Sequence, residues 1–196
     1  MKITEIINGK TPSLSFEVFP PKTSDKYESV SETVSEIARL SPSYMSVTYG
    51  AGGGTNAYTA RIANEVSALG VTCLAHLSCI SSTNAQVNAQ LAELKGLRIE
   101  NILALRGDIP SYLDKSALNF RYAYELVDKI KAFGNFCIGG ACYPEKHPES
   151  ESIEKDIEYL KIKVDHGCQF LTTQMFFDND IFYKFIENSR KNGMMY

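Results

Sequence analysis

Six short apolar runs, rich in β-branched and aromatic residues, recur along the chain at nearly even steps. The steps between consecutive starts are 30, 27, 30, 35 and 34 residues, and the starts are Leu14, Tyr44, Val71, Asn101, Phe136 and Phe170. Apolar runs of this kind are typical of strands that are buried on both faces. The segments between them show helical spacing instead, as where Val30, Val34 and Ile37 are followed by Pro42. Strict alternation of strand and helix predicts right-handed βαβ units and a parallel sheet.

Two α/β architectures fit this alternation. A (β/α)₈ TIM barrel needs eight units and typically about 250 residues, whereas six are present here and two more would need about 60 residues. An open, doubly wound sheet would be complete with six strands, but its first turn normally carries the G-x-G-x-x-G motif of dinucleotide-binding folds, and FPPKTSDK stands there instead. The repeat alone leaves both architectures open.

Composition narrows the class of protein. With 20 basic and 23 acidic residues the net charge is −3, which offers no excess of cations for binding a nucleic-acid backbone. The five cysteines form no C-x-x-C pair and the three histidines no H-x-x-x-H pair, so we expect no metal site. No apolar stretch is long enough for a membrane span, and Glu5 falls where a signal peptide would be apolar. We therefore expect a cytoplasmic protein that binds neither nucleic acid nor membrane.

Unusual polar residues cluster at the predicted carboxyl ends of the strands, where parallel α/β proteins have their active sites. Glu17 lies within the apolar string SFEVFP, where burial would favour a protonated carboxyl group suited to acid catalysis; the alternative is an edge position that faces solvent. His76 lies in the third run, where a lone histidine is more often a core residue than a catalyst. Asp108 ends the Arg-Gly-Asp sequence after the fourth run, which either binds a polar ligand or forms a surface ion pair.

Three further segments complete this predicted edge. The glycine-rich string TYGAGGG after the second run is either a ligand-binding loop or a plain turn. The string YPEKHPE after the fifth run carries an aromatic residue, a histidine and two acids, and Gln174 at the sixth run can bind a heterocycle through its amide. The residues indicate a small-molecule enzyme with the carboxylates of Glu17 and Asp108 at its centre. Redox chemistry there would need a cofactor.

Six strings, in this order and spacing, resemble the methylenetetrahydrofolate reductase family: FEVFPPKT, SVTYGAGG, AHLSC, ILALRGD, YPEKHPES and TTQMFFD. The resemblance runs from about residue 14 to residue 185. It implies a (β/α)₈ barrel that binds FAD and uses NADH or NADPH to reduce 5,10-methylenetetrahydrofolate to 5-methyltetrahydrofolate, in one-carbon metabolism and methionine biosynthesis. It also implies self-association into a homo-oligomer.

The resemblance assigns roles residue by residue. Glu17 would be the general acid, Asp108 would orient the folate and tune the flavin, Gln174 would contact the folate, and Thr48 would lie near the nicotinamide. The implied FAD contacts are Tyr49, Ala51, His76, Arg106, Gly107, Asp108, Ala123, Tyr143, His147, Asp156 and Lys163. Asp156 and Lys163 are seven residues apart, and thus on one face of the predicted helix.

The resemblance also bears on the extent of the chain. The family continues through a seventh and an eighth strand, whereas this sequence stops after the sixth predicted helix. We therefore expect residues 1–196 to form a single catalytic domain that is incomplete at its carboxyl end. The alternative to an active reductase is a non-catalytic remnant that binds flavin or folate, or that serves as an assembly subunit.

Overall fold

A computed structural model describes residues 1–49, 56–109 and 118–194. Helices and strands alternate along the described chain, beginning with a short helix before the first strand. The six strands are β1 (Ser15–Val18), β2 (Tyr44–Val47), β3 (Thr72–Ser78), β4 (Asn101–Leu105), β5 (Cys137–Cys142) and β6 (Phe170–Thr173). The seven helices are α1 (Ile3–Ile7), α2 (Tyr27–Ala38), α3 (Asn56–Ala68), α4 (Asn84–Gly96), α5 (Ala123–Phe133), α6 (Ile153–His166) and α7 (Asn179–Lys191).

The order of the strands decides between the two architectures. All six are parallel and lie side by side in chain order, β1-β2-β3-β4-β5-β6. A doubly wound sheet reverses direction at a switch point and so shuffles this order, whereas a barrel adds each strand next to the previous one. The sheet is a curled half-barrel, and the prediction of a partial (β/α)₈ barrel is confirmed.

Local signals explain where the helices begin and end. α4 starts at a capping box, in which the Gln86 N–H donates to Thr83 Oγ1 at 3.2 Å and the Thr83 N–H donates to Gln86 Oε1 at 2.7 Å. After α3 the chain turns at Gly70, whose φ of +80° suits glycine. Among the described helices, none is both long and apolar enough to cross a membrane.

Two apolar layers hold the sheet. The larger lies between the sheet and the helices and includes Val47, Ile62, Leu91, Ile102 and Ile130, all fully buried. The smaller lies on the inner face and comprises Ile3, Leu74, Leu103, Cys137 and Phe170.

The packing of the inner layer requires a residue without a side chain, Gly139. Phe170 on β6 is buried, and its ring covers Gly139 of β5, its partner in the sheet. A Cβ atom on Gly139 would overlap this ring. The glycine therefore allows an aromatic residue to fill the inside of the curled sheet directly below the strand ends.

Helix α1 was not predicted from the sequence. It closes the amino-terminal edge of the sheet by inserting Ile3 into the inner layer. Asn101 at the start of β4 holds it there: its Oδ1 accepts the Ile3 N–H at 2.8 Å, and its Nδ2 donates to the carbonyl oxygens of Met1 and Cys73, each at 3.1 Å. The chain thus has a plugged edge and, opposite it, the edge formed by the carboxyl ends of its strands.

Candidate active site

The six strands end at one edge of the sheet, and the predicted site residues lie on the strands or on the turns, loops and helices that follow them. Because the strands are parallel and in sequence order, this edge collects Glu17 from β1, His76 from β3, the turn after β4 and the loop after β5. Side chains on one face of a strand are two residues apart. Glu17, Ser46 and His76 therefore lie on the inner face of the curled sheet, together with Leu74 of the inner layer.

Glu17 lies in a small polar group. It is the sheet partner of Ser46, whose Oγ donates to Glu17 Oε2 at 3.5 Å, and His76 Nε2 is 3.7 Å from the same oxygen. The Glu17 side chain is 49% exposed because β1 pairs only with β2 in the described residues. The expectation of a buried carboxyl group was therefore wrong in degree: Glu17 faces the opening and is half exposed, which leaves it accessible to a ligand.

His76 is neutral at physiological pH. Its side chain is 9% exposed, and burial lowers its pKa from 6.5 to about 4. The neighbouring carboxylate of Glu17 would favour the imidazolium, but it is half exposed and water screens it, so burial prevails. His76 is thus a neutral hydrogen-bonding group beside Glu17.

This lowered pKa predicts a loss of stability in acid. The unfolded chain takes up a proton at His76 near pH 6.5, but the folded chain does so only near pH 4, so stability falls as the pH falls between these values. The loss should reach about 3 kcal/mol at pH 4. Urea unfolding of the native chain and of His76→Gln across this range checks it, since the carboxylates titrate in both proteins. A difference between the two that does not change with pH would contradict the prediction.

The Arg106-Gly107-Asp108 turn is built onto the end of β3. Ser78 Oγ donates to the Arg106 carbonyl oxygen at 2.9 Å, and the Ile80 N–H donates to the same oxygen at 2.8 Å. Gly107 has a φ of +85°, and a Cβ atom there would overlap Ser78 Oγ. Glycine is thus needed twice, for the backbone conformation and for the close contact. The turn leaves Asp108 exposed at the edge.

An ion pair joins this turn to the loop after β5. Arg106 Nη1 and Nη2 donate to the two carboxylate oxygens of Glu149 at 2.6 and 2.8 Å. In the same loop the Tyr143 and His147 rings meet edge to face, with centroids 4.7 Å apart. The His147 N–H donates to Asp156 Oδ2 at 3.0 Å, which connects the loop to α6.

Lys163 approaches this group from α6. Its Nζ donates to the Ala141 carbonyl oxygen at 2.6 Å, and burial lowers its pKa. Gly140 makes room for it, since a Cβ atom there would be 2.7 Å from Lys163 Cδ. Asp156 lies near enough to Lys163 to favour its charged form electrostatically. The predicted common face of Asp156 and Lys163 on α6 therefore points to the end of β5.

The other predicted residues are spread around the edge. Tyr49 follows β2, and its hydroxyl group accepts a hydrogen bond from Gln90 Nε2 at 2.5 Å; burial raises its pKa. Thr48 precedes it and is half-buried, Ala123 is the first residue of α5, and Gln174 is exposed after β6. Ala51 lies in the range 50–55, outside the described residues.

The two carboxylates that the sequence paired belong to different groups. Glu17 contacts Ser46 and His76, whereas Asp108 acts electrostatically on Arg106 and Tyr143, and β2 and β3 separate their strands. Sequence reasoning missed Ser46 as the neighbour of Glu17. Its signal was present, because Ser46 and Thr48 alternate with apolar residues in YMSVTYG and so share a face.

Two surface cavities lie at the opposite edge. They are lined by residues at the starts of β4, β5 and β6, among them Glu100, Phe136 and Gln169. None of the predicted site residues lines them. We place the candidate site at the carboxyl edge, because the polar groups gather there.

Comparison with known proteins identifies the family. The sequence profile described as "Methylenetetrahydrofolate reductase" matches residues 2–196, which is nearly the whole chain. The chain belongs to the methylenetetrahydrofolate reductase family. This confirms the resemblance that the six motifs indicated.

Individual relatives of the family agree. The chain is 37% identical over 208 residues to methylenetetrahydrofolate reductase (NADH) 1 of Zea mays, an alignment that covers 98% of this chain and 35% of the relative. It is 36% identical over 183 residues to 5,10-methylenetetrahydrofolate reductase of Pectobacterium carotovorum, covering 93% of this chain and 60% of the relative. The chain thus spans about a third of the plant reductase and three-fifths of the bacterial one.

A solved structure supports the fold. A Clostridium thermocellum protein described as binding two copies of 5-methyl-5,6,7,8-tetrahydrofolic acid superposes with a TM-score of 0.71 at 16% identity. The match covers all of this chain and 67% of that protein. At this identity, the likeness is one of fold.

Proposed function

We propose that this member of the methylenetetrahydrofolate reductase family takes part in the flavin-dependent reduction of 5,10-methylenetetrahydrofolate to 5-methyltetrahydrofolate by NADH or NADPH. The observation that carries the proposal is the position of Glu17. Its accessible carboxylate stands on the inner face of the sheet beside a neutral histidine, at the edge where barrel enzymes bind substrates. The names of the relatives and the folate binding described for the Clostridium thermocellum protein support folate as the substrate.

The groups at this edge fit the chemistry of FAD. A dinucleotide cofactor needs cations or N–H donors for its diphosphate and space for the backbone to approach it closely. Arg106, His147 and Lys163 supply the donors, and Gly107 supplies the close approach. Tyr49 and Tyr143 add half-buried aromatic surface. We propose that these residues, together with His76, Asp108, Ala123 and Asp156, hold the cofactor, and Ala51 belongs to the same proposal.

In this mechanism, FAD would supply hydride transfer between the nicotinamide and the folate when bound. Glu17 would deliver a proton to a folate nitrogen as the methylene bridge opens. Asp108 and Gln174 orient the folate, and Thr48 acts on the nicotinamide.

A spectroscopic titration with FAD tests this function. The purified chain should become yellow, retain flavin absorbance after gel filtration, and oxidise NADH with a folate or quinone as acceptor. A folded chain that stays colourless, and that gains no thermal stability from added FAD, would refute flavin dependence. It would favour another barrel chemistry or a non-catalytic role.

The remaining expectations belong to the same proposal and depend on the resemblance. They are a single catalytic domain over residues 1–196, a cytoplasmic location, and self-association into a homo-oligomer. The choice between NADH and NADPH is settled by comparing the rates of flavin reduction with the two nucleotides.

A further inference from the structure

Glu149 connects two of the loops that surround the candidate site. Its carboxylate binds the Arg106 guanidinium in the turn after β4, and its backbone N–H donates to His147 Nδ1 at 3.1 Å within the loop after β5. Arg106 and His147 are both proposed cofactor contacts, whereas none of the six motifs gave Glu149 a role. Glu149 thus contacts two residues that are proposed to bind the cofactor.

The hydrogen bonds of Arg106 determine which of its N–H groups can donate to a ligand. Arg106 Nε donates to the Gly107 carbonyl oxygen at 3.1 Å, while Nη1 and Nη2 each donate once to Glu149. A guanidinium has five N–H bonds, so these three hydrogen bonds leave two N–H groups, one on each terminal nitrogen, without a partner among the described residues. These two N–H groups have a fixed direction, because the Gly107 carbonyl oxygen and the Glu149 carboxylate hold the planar guanidinium on two sides. Arg106 is therefore pre-oriented to donate to a second anion in the plane of the ion pair.

The hydrogen bond from the Glu149 backbone N–H determines which nitrogen of the His147 imidazole can donate to a ligand. Because Nδ1 of His147 accepts the Glu149 N–H, a neutral ring carries its proton on Nε2. The ring is further held edge to face by Tyr143, and the backbone of His147 is held by Asp156. His147 thus presents an N–H donor through Nε2.

We infer that Glu149 is a positioning residue of the cofactor site, which orients the Arg106 guanidinium toward an anionic group of the flavin dinucleotide. The inference rests on the proposed flavin-dependent function. Glu149 acts through Arg106 and not by touching the reacting atoms. Its carboxylate also offsets one of the cationic charges at this edge, so the arginine stays ordered before the cofactor arrives.

The ion pair is strong enough for this task although Glu149 is exposed. The Glu149 side chain is 57% exposed, which by itself would make an ordinary surface ion pair weak. However, the Arg106 side chain is only 18% exposed and the contact uses both carboxylate oxygens. Bidentate charge-assisted pairs of this kind are stronger and more directional than single contacts.

The test compares the affinity for FAD of the native chain, Glu149→Gln and Glu149→Asp by quenching of flavin fluorescence. Glu149→Gln keeps the backbone N–H and the size of the side chain but loses the charge, and it should bind FAD about tenfold more weakly. Glu149→Asp keeps the charge and should recover part of this loss. Glu158→Gln is the matched control, because it removes an exposed carboxylate 2.7 Å from Lys155 on α6; it should bind FAD as the native chain does.

A double-mutant cycle separates positioning from general stability. If Glu149 acts through Arg106, Glu149→Gln should cause no further loss of affinity in an Arg106→Gln background. Additive losses would overturn the inference, as would a fall in the melting temperature of cofactor-free Glu149→Gln large enough to unfold the chain at the assay temperature. Equal affinity of the native chain and Glu149→Gln would overturn it while leaving flavin dependence intact. A native chain that binds no FAD would overturn both.

Discussion

Glu17→Gln is expected to slow the reduction of methylenetetrahydrofolate strongly while leaving the reduction of the flavin by NADH at its native rate. The amide has nearly the shape of the carboxyl group and can keep the contacts with Ser46 and His76, but it has no acidic proton to deliver. Removing a general acid typically costs 10² to 10⁴ in rate, so we expect the folate half-reaction to slow by roughly that factor. Hydride transfer from nicotinamide to flavin needs no such acid and should be unaffected.

Stopped-flow absorbance at the flavin band measures the two half-reactions separately. The chain is first reduced with NADH, and its reoxidation by the folate is then followed. Glu32→Gln is the matched control, because Glu32 is an exposed acid on α2 and is not among the proposed site residues. Native folate reduction by Glu17→Gln would show that Glu17 is not the acid. Equal slowing of both half-reactions would show that the substitution disturbs the site as a whole.

Asn101→Ala is expected to lower the free energy of unfolding by about 3 kcal/mol. Asn101 is 2% exposed, and its amide makes three hydrogen bonds that fix the start of the chain to the sheet. Truncation leaves the N–H of Ile3 and the carbonyl oxygen of Cys73 without these partners. Unsatisfied buried groups cost about 1–3 kcal/mol each, and part of the cost is relieved if α1 leaves the sheet.

Urea unfolding followed by circular dichroism gives this free energy. Asn84→Ala is the control: Asn84 also forms a side-chain hydrogen bond, to Asn119 at 3.2 Å, but both groups are exposed and water can replace either. It should cost less than about 1 kcal/mol. Similar losses in the two variants would mean that Asn101 does not anchor α1.

The sequence predicted the elements better than their arrangement. All six strands begin within one residue of the predicted runs, because apolar runs and the glycines after helices are local signals. The strand order is not local: an open sheet and a barrel have the same alternation along the chain, and only the motif resemblance favoured the barrel. Helix α1 has five residues, too few for a periodic apolar stripe, and its one buried residue, Ile3, is recognisable only from its distant partners.

The candidate site shows the same division. Residues at strand ends were predictable, because a parallel sheet carries them all to one edge. Contacts between side chains that follow different strands were not predictable. Arg106 and Glu149 are 43 residues apart in sequence. The exposure of Glu17 depends on β1 having only one neighbouring strand, β2, in the described sheet. Both features depend on tertiary structure, and neither produces a periodic pattern in the sequence.

The plug formed by Ile3 has a consequence for the order of folding. During synthesis Ile3 leaves the ribosome before any of the six strands, yet the inner layer that it completes draws on β3, β4, β5 and β6. Phe170, the last member of that layer, is translated 167 residues later. Until then α1 has no finished cavity to enter, and five residues are too few to form a stable helix alone. We expect α1 to dock only after β6 has joined the sheet, although α1 is made before every strand that its buried residue contacts.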